Sequence, residues 1–172
     1  MAEQVGGSSH AANILGALSL LIQDRVESAW QSDLGLSPMA AAALVQIDNE
    51  PGSSIEAVAG RIGLTHSATV RVIDKLAERG LVEKDRARQD ARAQSLKLSK
   101  AGKRIVQQLH GARNRVTDDL LGGLEPAQRA ALEGAIRAIL HRTVEPGREA
   151  DVTCRVCDDR RCTPDICPIR VE

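Results

Sequence analysis

The 172-residue sequence contains no phenylalanine and no tyrosine, and Trp30 is its single aromatic residue. RNA and single-strand binders of the RRM or OB type stack bases on aromatic side chains, so those readings are excluded. A polyproline-binding groove or an aromatic cage is excluded for the same reason. No stretch approaches the ~18 consecutive apolar residues of a membrane span. No Lys or Arg precedes the first apolar stretch, where Arg25 arrives late. That pattern argues against a signal peptide and for a cytoplasmic protein. Cysteine is missing from the first 153 residues, unlike a disulfide-stapled secreted fold. Excess charge of either sign is missing too, with 23 Lys and Arg against 23 Asp and Glu. What is present, a 42% hydrophobic content, suits one ordinary folded domain with an appendage.

The neutral total conceals a division. From Arg61 to Arg104 there are twelve basic and five acidic residues, a net of +7. Elsewhere eleven basic residues face eighteen acidic ones, a net of −7. A basic third on an acidic body suits either a nucleic-acid-facing module or a salt-bridged, solvated face.

Residues 1–9 are small and polar and read as a disordered N-terminus. From His10 to Asp33, Ile14, Leu15, Leu18, Leu21, Ile22, Val26 and Trp30 recur at three- and four-residue steps, predicting a long amphipathic helix. Ser37 and Pro38 supply a cap and an N1 proline for a second helix, which stops at Glu50-Pro51-Gly52. Ser54 caps a short third helix with Ile55, Val58, Ala59 and Ile62 inward. After Gly63, Thr65 caps a fourth with Val70, Ile73, Leu76 and Ala77 as its stripe. Two short helices joined by a tight glycine-containing turn form a helix-turn-helix. Residues 81–84 and 95–98 pattern as strands flanking a polar tip at 85–94, which makes a wing. A long helix then starts at Ser99, with Ile105, Val106, Leu109, Val116 and Leu120 on one side. A last one opens at Glu125-Pro126, with Leu132, Ile136, Ile139 and Leu140. The expected fold is mainly α with a small β-hairpin.

This order resembles the MarR family of winged helix-turn-helix regulators over roughly residues 10–142. The most specific block is LTHSATVRVIDKLAERGLVEKDRARQDARAQSLKLSKAG at 64–102. It carries the exit from the recognition helix (Leu76, Gly80, Leu81, Val82), the Asp-x-Arg of the wing (Asp90, Arg92) and a closing Leu98, Ser99 and Gly102. Val70 stands where the family often has Thr, and Ser99 where it usually has Thr. The peroxide-sensing members' first-helix Cys and nearby tyrosines are absent, which excludes that mechanism.

The resemblance implies an intertwined homodimer. Residues 10–36 and 103–144 would form its dimerisation helices, with 37–102 the DNA-binding region and 145–172 a cysteine-rich tail. Each fourth helix would enter a major groove, with the wing on the flanking minor groove of a pseudo-palindromic operator in double-stranded DNA. Repression, with release by a small effector bound between the dimerisation and DNA-binding parts, is the family's usual behaviour.

On the fourth helix His66, Ser67, Thr69 and Arg71 are the candidate base or phosphate contacts, and Lys75 a backbone contact. His66 reads equally as an ordinary surface histidine. In the wing Arg86, Arg88 and Arg92 are candidates, with Arg92 inserted into the minor groove and Asp90 holding the arginine stem or the turn. Trp30 reads as a core or interface anchor, and His110 and His141 as surface or interface histidines. No effector-binding residue is identifiable.

All four cysteines, Cys154, Cys157, Cys162 and Cys167, fall within 14 residues in a C-x2-C-x4-C-x4-C pattern. The spacing resembles a zinc knuckle with Cys in place of His, without its glycines or aromatics. A tetrahedral Zn²⁺ site is one reading, with Arg155, Arg160 and Arg161 offsetting its charge. An iron–sulfur cluster, redox-active disulfides and an inert tail are the others. Nothing in the globular part supports an enzyme: there is no phosphate-binding glycine loop, no ligating His pair and no nucleophile motif. A CxxC oxidoreductase would need a βαβ context that is missing. A non-regulatory DNA-binding protein is the remaining alternative.

Overall fold

The computed structural model describes residues 6–86, 94–163 and 165–169. Its elements are α1 (Gly6–Leu34), α2 (Pro38–Asn49), α3 (Ile55–Ile62), α4 (His66–Glu78), β1 (Val82–Arg86), β2 (Gln94–Leu98), α5 (Lys100–Gly122), α6 (Pro126–Thr143) and α7 (Arg148–Thr153). Two findings depart from the sequence reading. The first helix begins at Gly6, inside the stretch expected to be disordered, and α7 was not anticipated.

The capping chemistry explains most boundaries. The Ser37, Ser54, Thr65 and Ser99 hydroxyls accept the amides of Ala40, Ala57, Ala68 and Gly102, satisfying donors that a helix start leaves orphaned. Gly63 closes α3 in the left-handed region at φ 71°, a conformation that favours glycine.

The core centres on α2, where every residue from Ala41 to Ile47 is buried. Around it pack Val58 and Ile62 of α3, Ile73 and Leu76 of α4, Leu96 of β2, and Val106 and Leu109 of α5. A helix buried on all faces must be central, so α2 fixes the other elements. The hairpin is antiparallel, with Val82 opposite Leu98 and Arg86 opposite Gln94. Strand β2 is also held from its other side, because Leu96 exchanges backbone hydrogen bonds with the α2–α3 loop, at Ser53 O (3.0 Å) and Gly52 N (2.8 Å). The wing's base is thereby fixed to the core.

Strand β1 and the start of α5 are in near-contact at Gly102. A Cβ there would lie 2.1 Å from the Leu81 carbonyl oxygen, so only glycine fits. Trp30 is buried and donates to the Leu109 carbonyl at 3.1 Å, joining α1 to α5 as a core anchor. The rest of the α1 stripe behaves differently: Ile14, Leu15, Leu18 and Leu21 are exposed, as are Ile136 and Ile139 of α6, and α6 buries no residue within the chain.

Candidate nucleic-acid interface and the docked cysteine tail

Helix α4 is held by its inner face, through buried Thr69, Ile73 and Leu76, and by Arg79 at its C-terminal end. Arg79 donates to the carbonyls of Gly35 (3.0 Å) and Leu34 (2.9 Å) in the α1–α2 connection. The opposite face presents Ser67, Arg71 and Lys75, and His66 stands beside it in the first turn, all four exposed. Among the described residues neither Arg71 nor Lys75 pairs with a carboxylate. Both edge a cleft of about 350 Å³, which Gln31 of α1 and Leu36 and Ser37 of the α1–α2 connection also line. His66 Nδ1 lies 2.9 Å from Glu56 Oε2 across the turn, and the Ser67 hydroxyl lies 3.4 Å from that of Thr65.

Thr69 is a correction. It is fully buried, and its hydroxyl donates to the Thr65 carbonyl at 3.0 Å. The helical phase turns it toward α2, while Val70, taken for the buried stripe, is only half-buried. Thr69 therefore belongs to the core and the helix start. Arg88, Asp90 and Arg92 lie outside the described residues, as does the Arg86 side chain.

Part of the positive charge in the basic third is already engaged. Arg61 pairs with Glu50, Lys84 with Asp74, and Lys97 with Asp85. The +7 of this segment is thus partly a salt-bridged surface, with Arg71 and Lys75 standing apart from those pairs.

The comparisons agree with this geometry. A family model described as "MarR family" matches residues 34–93, from the end of α1 to the residue before β2. Over this stretch the chain is similar to the MarR family, and its fold matches winged helix-turn-helix structures of that family. A protein assigned to transcriptional regulation of the hcr operon in Thauera aromatica is 28% identical over 111 residues, 64% of this chain and 67% of the relative. The solved PcaV transcriptional regulator of Streptomyces coelicolor is 28% identical with a TM-score of 0.58, covering 72% of this chain and 93% of that one. The apo structure of MarR from E. coli gives a TM-score of 0.61 at 22% identity, covering 73% and 96%. Among the described residues no helix is long and apolar enough to cross a membrane.

The cysteine tail does not hang from the domain. Helix α7 packs on α3, and the chain beyond it runs back over α2 and α5. Three successive carbonyls are held by side chains of those helices. Gln46 of α2 donates to Arg155 O (3.1 Å), Arg113 of α5 to Val156 O (3.2 Å), and Asn49 of α2 to Cys157 O (3.4 Å). Helix α6 holds the far end: Arg137 donates to the Ile166 carbonyl at 2.8 Å, and His141 Nδ1 lies 3.2 Å from the Pro168 carbonyl. Sequence reasoning missed these docking residues, although Gln46, a polar side chain in an otherwise apolar buried helix, was a usable signal.

Cys154 and Cys167 are buried with Ala150 and Ile169 in a small second core, and Cys157 and Cys162 pack against it beside Leu140 and Val144. The four side chains are thiols, not disulfides. Burial pushes the Cys162 thiol up to about 11, and the neighbouring thiols of Cys167, to which it is hydrogen-bonded, and of Cys157 add to the rise. Among the described residues no three His, Cys, Asp or Glu side chains are already arranged as metal ligands. Arg160 and Arg161 pair with Asp158 at 2.8 and 3.9 Å, and Arg155 donates to the Val152 carbonyl.

His110, expected at the surface or in an interface, is buried within the chain, and its Nε2 has no hydrogen-bond partner among the described residues. Burial lowers its pKa below the ordinary 6.5. Asp158 opposes that shift, Arg160 and Arg113 add to it, and Asp48 opposes it. His141 is exposed as expected. Trp30, Val26 and Ile22 of α1, with Arg113 of α5 and Arg155 and Val156 of the tail, line a cleft of about 200 Å³.

Proposed function

We propose that this chain is a homodimeric repressor of transcription that reads a pseudo-palindromic site in duplex DNA and is released by an effector. The observation that carries the DNA-binding reading is α4: its inner face and its end are fixed to the core, while Ser67, Arg71 and Lys75 on its outer face and His66 in its first turn stand exposed. A rigid helix with unpaired cations outward suits a major groove, where arginine makes a two-pronged contact to guanine or clamps a phosphate. Arg86, Arg88 and Arg92 would extend this contact into the minor groove, with Asp90 as support. The exposed Ile14, Leu15, Leu18 and Leu21 of α1 and Ile136 and Ile139 of α6 are apolar surface that a second copy would cover. The cleft between α1, α5 and the tail, with Trp30 and Arg113 in its wall, is the place we assign to an effector.

The test is fluorescence anisotropy on a duplex from the region upstream of the encoding gene, against a scrambled duplex and a single strand. Preference for the upstream duplex supports specific recognition. Equal affinity for the scrambled duplex supports a non-regulatory DNA-binding protein. A reporter behind the same region tests the sign of control: removal of the protein raises transcription if it represses.

A further inference from the structure

A tail of 28 residues ordinarily cannot hold a fold, because it buries too little apolar surface to offset its conformational entropy. Here the tail nevertheless has a core, and four of its side chains are the cysteines themselves, converging from a 14-residue stretch. Beyond α7 the described backbone forms only turns and bends. An internal cross-link is the missing stabilising element. Two disulfides would serve in an oxidising compartment, but a DNA-binding protein works where thiols are kept reduced. In that single respect the inference rests on the function proposed above.

We propose that Cys154, Cys157, Cys162 and Cys167 bind one Zn²⁺-class ion, and that loading this ion seats the tail between α2 and α5. Four thiols give up four protons to solvent and the ion takes their place, leaving a tetrathiolate centre of charge −2. The four cysteine side chains gather in one small cluster, although among the described residues no three ligating side chains are placed to hold an ion without rearrangement. Turns carry Cys157, Cys162 and Cys167, so rotation of these side chains can supply that rearrangement. The surroundings fit such a centre. The carbonyls of Arg155, Val156 and Cys157, which shape the Cys-x2-Cys turn, are each fixed by a side chain of α2 or α5. Outer partners of this kind orient the ligands of a metal. The same contacts make the ion a bridge: α2 is the centre of the DNA-binding domain, and α5 is the long helix that leaves it.

The experiment uses the full chain, purified anaerobically under reducing conditions, and reads metal content, a Co²⁺ titration and amide hydrogen exchange, all without DNA. The expected result is one Co²⁺ per chain, with the visible bands of tetrahedral cobalt and sulfur-to-cobalt charge transfer, all displaced by Zn²⁺. Cys162→Ser and Cys167→Ser each abolish that spectrum while far-UV circular dichroism stays helical. Gln46→Ala, which removes no ligand, weakens the ion by about 10–100-fold. Chelation raises exchange in residues 150–169 and at the α2 surface beneath them. Four titratable thiols with no bound metal and no cobalt spectrum would overturn the proposal. So would a brown iron–sulfur chromophore, or disulfides that form in place of ion binding. A failure of DNA binding leaves the cobalt spectrum unchanged, so the two readings fail separately.

Discussion

Two neighbours on α4 separate the roles that one helix combines. Arg71 is exposed and stands clear of the carboxylates around it, whereas Thr69 is buried and bonded to the Thr65 carbonyl. Arg71→Ala should weaken binding to the specific duplex by ~1–3 kcal/mol with thermal stability unchanged. Thr69→Ala should lower stability by ~1 kcal/mol and leave the affinity of the folded protein unchanged. Anisotropy and thermal denaturation of both variants check the pair. Arg92→Ala should also cost ~1–3 kcal/mol in affinity if the wing tip enters the minor groove.

His110 supplies a pH prediction of definite sign. Its folded pKa is depressed below 6.5, first by burial. Its contribution is therefore complete above the unfolded value near 6.5 and is lost as the pH falls below it, since the unfolded chain then binds the extra proton. Asp158, held below 3.8 against the cost of burial by its hydrogen bond to Arg160, acts only at still lower pH. Denaturant unfolding should show stability declining from pH 6.5 downward, and His110→Leu should flatten that slope. An identical slope in the variant would assign the titration to another group.

At the scale of elements, much of the fold was legible because caps and periodicity speak locally. Ser37-Pro38, Ser54, Thr65 and Ser99 announced four helix starts, and each hydroxyl caps as expected. Thr69 was misread because its polarity outweighed its phase: it stands four residues before Ile73 and seven before Leu76, on the stripe that faces inward. Helix α7 and the docking of the tail were not legible, since both depend on partners distant in sequence: α7 packs on α3, and Gln46 holds the Arg155 carbonyl. The expected wing arginines Arg88 and Arg92 lie outside the described residues, so that part of the interface rests on the motif. Gly102 shows the opposite case, a motif position whose reason is visible only in space. Gly102→Ala would drive a Cβ into the Leu81 carbonyl and should cost ~1–3 kcal/mol or more in unfolding free energy. A smaller loss would mean that α5 can slide away from β1.

The whole molecule leaves two long helices with apolar residues in water. Leu18 and Leu21 of α1, with Ile136 and Ile139 of α6, are each at least 40% exposed, a surface that suits a partner copy. Leu18→Asp with Leu21→Asp should convert the protein to a monomer in analytical ultracentrifugation, with the helical signal of the core retained. A double variant that remains dimeric would place the interface elsewhere. Zero net charge is no obstacle to the reading, since the molecule divides into a basic third and an acidic remainder.

The central claim, that paired α4 helices read duplex DNA, is tested most directly by selection from a random duplex library followed by footprinting. The account predicts enrichment of a pseudo-palindrome with half-site centres about one helical turn, roughly 10 bp, apart, and loss of that enrichment with Arg71→Ala. Enrichment of an asymmetric site, or no enrichment over a scrambled duplex, would contradict it.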